Sequence, residues 1–181
     1  MSVITRSWLS FAAIGAGVIH LALVISSPLA IGVLLLLFGL AELAWGVLIL
    51  AKDRLLVPRL AQAGAIAPVL LWSLLTVTAT LLSAPQIASS LRFLPMGIAA
   101  IFEIFIAAVV SVIVRRQSDD PRSAATARPT SAVKYLCAVM IAGILVGGLT
   151  TPALAATPAG SVAMEHGGTM GGMMNMPGMG H

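Results

Sequence analysis

The last 18 residues of this 181-residue chain, MEHGGTMGGMMNMPGMGH, hold six of its nine methionines and two of its three histidines. Thioether sulfur is a soft ligand that suits Cu(I), and imidazole binds copper in either oxidation state, as well as zinc or nickel. Met174 and Met176 form an M-x-M pair, and Met176 and Met179 flank Pro177-Gly178. The neighbouring glycines supply the backbone freedom to fold two or three sulfurs round one ion. Methionine also stays a ligand in an oxidising compartment, where cysteine would form disulfides, and acid does not protonate a thioether. Methionine is ordinarily a buried gap-filler, so a glycine-rich run gives six of them no packing role. The expected ligands are Met164, His166, Met170, Met173, Met174, Met176, Met179 and His181, and the expected cofactor is copper. Two other readings remain: another metal or redox sensing through methionine sulfoxide, and a low-complexity tail with no ligand.

Three further ionisable residues, His20, Glu42 and Glu103, fall inside long apolar stretches. Such groups are costly in lipid and face a bundle interior or a water-filled cavity. From a helical rise of about 1.5 Å per residue, His20 is expected about 9 Å and Glu103 about 12 Å below the outer surface, and Glu42 about 20 Å. His20 and Glu103 would then meet if their helices are neighbours, to bind a metal, relay a proton or neutralise one another. With His20 alone inside a span, no bis-histidine haem is expected. Cys137 is the single cysteine, which excludes an intrachain disulfide and a multi-cysteine zinc site. It is read as a small apolar residue rather than a nucleophile. Walker A, GxGxxG, HExxH and GxSxG motifs are absent from the sequence, and no catalytic residue is expected.

The elements that must position these groups follow from composition. The chain is 59% hydrophobic and 9% charged, against about 25% charged in a typical soluble domain. That disfavours a soluble enzyme, a nucleic-acid binder and a disordered protein together. Five apolar runs, at about 8–25, 29–50, 60–82, 93–114 and 135–155, are each long enough for a helix to cross a hydrocarbon core of about 30 Å. The expected fold is an all-α integral membrane protein: a four-helix transmembrane bundle over residues 1–114, a cytoplasmic flexible linker at 115–134, a fifth span, and a disordered Met/His-rich extracytoplasmic tail at 156–181. With the N-terminus in the cytoplasm, nine of the ten basic residues lie inside and only Arg92 outside, as the positive-inside rule requires. The expected location is a bacterial plasma membrane, and nucleic acid is not an expected partner.

The fifth run has a second reading. Lys134, a short apolar segment, Pro152 and the A-x-A of Ala153-Leu154-Ala155 are the parts of a signal peptide. Cleavage after Ala155 would release residues 156–181; otherwise the run is a retained helix ending in alanines. Glycine spacing adds a packing expectation. Gly32, Gly39 and Gly46 recur every seven residues as a seam for close helix approach, with Glu42 beside it, and Gly143 and Gly147 form a GxxxG.

AGVIHLALV followed by GVLLLLFGLAELAWGVLIL, within residues 16–50, resembles a recurring pattern in small uncharacterised multi-pass membrane proteins of actinobacteria. In many of these a glutamine is expected where this chain has Glu42. The resemblance implies a membrane protein and carries no activity over. The sequence thus leads to a non-enzymatic copper-handling membrane protein whose exterior tail captures or buffers copper. The alternatives are an accessory or assembly subunit of a larger membrane complex and, third, a small proton-coupled transporter. The expected partners are the lipid bilayer and either another membrane protein or further copies of the chain.

Overall fold

The computed structural model describes residues 1–52, 55–83, 92–119 and 131–168. These residues form six helices and no strand: α1 (Val3–Val24), α2 (Leu29–Lys52), α3 (Pro58–Leu81), α4 (Phe93–Asp119), α5 (Ala132–Ala155) and α6 (Pro158–Gly168). The first five are long and apolar enough to cross a membrane. Their ends are set by local chemistry as much as by hydropathy. Ser2 caps α1, its hydroxyl accepting from the Thr5 amide at 3.1 Å, and Ser131 caps α5 by accepting from the Lys134 amide. Both helices therefore begin before the apolar runs at 8 and 135. At the other end of α1 the Ser27 hydroxyl donates to the Leu23 carbonyl at 2.8 Å. Pro58 then opens α3, as a residue without an amide hydrogen can at a first helical position.

Helix α1 is the hub. It packs against α2, α4 and α5 and is the most buried of the five long helices. The physical reason is in its side chains. Ser10, Ala13 and Gly17 lie on the α2 face, where Gly46 and Gly39 oppose them, while Gly15 opens another face to Phe102 of α4 and Val146 of α5. A helix with small residues on two faces accepts neighbours on both. Helices α3 and α4 pack together, helped by Gln62 donating to the Ser111 hydroxyl at 2.9 Å. The outward faces of α2, α3 and α5 present large apolar side chains such as Leu37, Leu70 and Ile144, each at least 60% exposed. Exposing such a side chain to water forgoes about 1.5–3 kcal/mol, a cost that helices long and apolar enough to cross a membrane avoid in lipid.

The stretch expected to be a structureless tail from residue 156 starts instead with α6. Thr157 is its N-cap, the hydroxyl accepting from the Gly160 amide at 3.2 Å, and Pro158 occupies the first helical position. Of the stretch expected as a linker at 115–134, both ends are helical, α4 continuing to Asp119 and α5 starting at Ala132, and residues 120–130 lie outside the described residues.

Candidate functional site

His20 and Glu103, expected near one depth, come together in the bundle with Glu42, which was expected deeper. His20 Nδ1 lies 2.9 Å from Glu42 Oε2, and His20 Nε2 lies 3.5 Å from Glu103 Oε1. One donor atom from each residue can be chosen so that all three lie within 4.8 Å of one another. The His20 side chain is fully buried, that of Glu103 is 2% exposed and that of Glu42 12% exposed.

The helix register explains the meeting. α1 and α2 cross where Gly17 faces Gly39, so closely that a Cβ on either would lie 2.8–2.9 Å from the other's carbonyl oxygen. His20 is one turn beyond Gly17 and Glu42 one turn beyond Gly39, so the two Cα atoms flank the crossing by about 4.5 Å on opposite sides. Side chains on a helix lean toward its N-terminus. His20 and Glu42 belong to antiparallel helices and so lean toward each other, back to the level of the crossing. Depth counted along the backbone separated them; side-chain direction brings them together. Glu103 arrives from α4, whose Phe102 packs on Gly15 of the same hub.

The triad's surroundings differ on its two sides. His20 borders a narrow apolar crevice with Phe38, Trp72 and Met96, and its ring centroid is 6.4 Å from that of Phe38. Glu42 borders a larger cavity of about 320 Å³, opened because α2 and α3 scarcely touch. At the cavity's far end Trp45 donates to the Leu56 carbonyl at 3.1 Å. Within the triad, His20 Nε2, Glu42 Oε1 and Glu103 Oε1 are buried without a hydrogen-bond partner among the described residues. A buried polar atom left so costs about 1–3 kcal/mol, which makes this cluster the least satisfied polar part of the bundle interior.

Of the residues expected as ligands in the tail, Met164 stands on α6 and is 61% exposed. His166 belongs to the last turn of that helix. Met170, Met173, Met174, Met176, Met179 and His181 lie outside the described residues. Reasoning from the sequence did not single out the clamp at the base of α6. Arg92 Nη1 donates to the Ala156 carbonyl at 2.6 Å, and Thr157, itself buried, donates to the Leu154 carbonyl at 2.6 Å. A cation near a helix C-terminus meets carbonyls that lack intrahelical partners. The same junction holds the A-x-A segment as the last turn of α5, with Ala153 fully buried. An Arg92→Ala/Thr157→Val double variant removes about 1–2 kcal/mol of local hydrogen bonding. It is expected to be cut by added protease between α5 and α6 roughly 5–30 times faster. Equal rates for wild type and variant would remove the clamp from the account.

Comparison with protein-family models, curated proteins and solved structures finds no match for the chain. Its function is therefore argued from its own residues.

Proposed function

We propose that this is a non-enzymatic copper-handling membrane protein. Its helices lie in a bacterial plasma membrane with the N-terminus cytoplasmic, and residues 164–181 capture or buffer copper on the outer side. The observation that carries the reading is the gathering of six methionines and two histidines into 18 residues, a donor set matched to Cu(I). Three points support it. Along the sequence, nine of the ten basic residues fall at the helix ends opposite the tail, Arg92 being the exception. Met164 is exposed on α6, and the Arg92–Thr157 clamp ties that helix to the bundle. The clamp favours the retained reading of the fifth helix, since cleavage there would shed the ligands.

The test is a competition titration of the full-length protein with Cu(I) against a chromogenic chelator. Replacing the six tail methionines by leucine, which keeps their bulk and removes the sulfur, is expected to weaken binding at least tenfold. Equal binding by the leucine variant would end the copper reading of the tail.

The accessory-subunit reading is favoured by one specific observation. Gly143, Gly147 and Gly148 on α5 have open space where a Cβ would stand, and α5 is the least buried of the long helices. Small-residue faces let another helix approach closely. Purification in mild detergent separates the readings: a stoichiometric partner supports a subunit, and an isolated chain carrying copper supports the first.

A further inference from the structure

We propose that His20, Glu103 and Glu42 form a binding site for a divalent first-row cation of the zinc, iron(II) and manganese class, chemically separate from the soft ligands of the tail. The inference stands on the bundle geometry and does not rest on the copper reading.

The donor pair at its centre is His20 Nε2 and Glu103 Oε1. They are 3.5 Å apart, and neither has a hydrogen-bond partner among the described residues. A direct hydrogen bond would draw such a pair to about 2.7–2.9 Å. Two donors on one tetrahedral ion, with bonds of about 2.0–2.2 Å, stand about 3.4 Å apart. Glu42 supplies what a metal-binding histidine needs at its other nitrogen. Its Oε2 is 2.9 Å from Nδ1, and when Nδ1–H donates to it the Nε2 lone pair is left free on the side of Glu103. A carboxylate behind the imidazole fixes its tautomer and orientation in this way. With Oε2 on Nδ1, Glu42 stands across the ring from Nε2, so it orients the histidine from behind while His20 and Glu103 supply the direct ligands.

Donor chemistry selects the class. One imidazole nitrogen and carboxylate oxygens are borderline to hard ligands, suited to divalent cations and poorly suited to Cu(I). A double positive charge also neutralises two carboxylates in a setting where isolated ions are costly. Access is built in on one side. The cavity of about 320 Å³, walled by Phe38, Trp45, Leu60, Gly64 and Ile106, reaches Glu42, the more exposed carboxylate of the pair. A cation entering there meets Glu42 first, and the cavity has room for the waters that complete its coordination.

The experiment uses the full-length protein in mild detergent with Co²⁺ as the only added metal, since Co²⁺ reports its ligands through visible ligand-field absorption. Wild type is expected to bind one Co²⁺ per chain and to release it to Zn²⁺. Glu103→Gln and Glu42→Gln are each expected to weaken binding about 10–100-fold, and His166→Ala/His181→Ala to leave it unchanged. Zn²⁺ is expected to raise the thermal unfolding temperature of wild type and not that of Glu103→Gln. Wild type showing no Co²⁺ absorption up to millimolar metal overturns the proposal, and this outcome needs no variant to fold. Absorption that survives Glu103→Gln and vanishes with the tail histidines overturns it as well.

Discussion

Replacing His20 by leucine is expected to destabilise the bundle by about 1–3 kcal/mol for each buried polar group left without its partner. The loss is larger than the hydrogen bond to Glu42 alone, about 1.5–3 kcal/mol for a charged partner. Without the imidazole, the carboxyls of both Glu42 and Glu103 lose the buried group that each approaches. The same geometry predicts a rescue. Glu42→Leu/Glu103→Leu added to His20→Leu removes the remaining polar groups, and buried ion clusters replaced as a whole by apolar residues are often neutral or more stable by about 1–4 kcal/mol. Thermal unfolding in detergent without added metal measures both changes. A triple variant no more stable than His20→Leu would show that the carboxylates are not the source of the cost. The expected pattern of a costly single change and a harmless triple change also bears on function. A cluster that the fold can do without is held for what it binds.

The long helices and the triad were legible in the sequence to different degrees. Hydropathy locates α1 to α5 because a helix crossing lipid needs about 20 apolar residues, and each expected run overlaps its helix. The ends were less legible, since Ser2 and Ser131 cap their helices outside the apolar runs. Helix α6 was missed although its signal stands in the sequence, a threonine followed by proline at 157–158. The glycine content of the tail drew the reading toward disorder, while the cap and the buried Thr157 fix the first turn.

For the triad, the residue types sufficed to nominate all three members, because an ionisable group within a long apolar run has few roles open to it. Their convergence was not readable from position along the chain. It depends on Gly17 meeting Gly39, and the seven-residue glycine seam of α2 was visible while its partner on α1 was not. Gly17 lies among Ala12, Ala13, Gly15 and Ala16, where no spacing distinguishes it. The seam itself has unequal members. Gly39 and Gly46 meet α1 at 2.9 and 3.1 Å from an added Cβ, whereas Gly32 has the looser clearance of 3.4 Å near Val24. The GxxxG of α5 looks similar in sequence, yet a Cβ added at Gly143 or Gly147 would meet no neighbouring element within 4 Å among the described residues.

That contrast gives opposite signs for one substitution. In an open helical position alanine is better than glycine by about 1 kcal/mol, so Gly143→Ala and Gly147→Ala are expected to stabilise the isolated chain or leave it unchanged. At Gly17 and Gly39 the new methyl meets a backbone oxygen at 2.8–2.9 Å, and backbone cannot swing aside as a side chain can. The helices must separate, at a cost of about 1–3 kcal/mol for overpacking, and Gly17→Val adds bulk at the same contact. The separation also reaches the site. His20 and Glu42 bridge the crossing from either side, so widening it lengthens the 2.9 Å contact between them. Gly39→Ala is therefore expected to lower the unfolding temperature and to weaken Co²⁺ binding together, with no ligand altered. Gly39→Ala and Gly143→Ala unfolding at the same temperature would mean that the α1–α2 crossing is not as close as drawn. Loss of stability in Gly39→Ala with Co²⁺ affinity unchanged would separate the packing of the helices from the geometry of the triad.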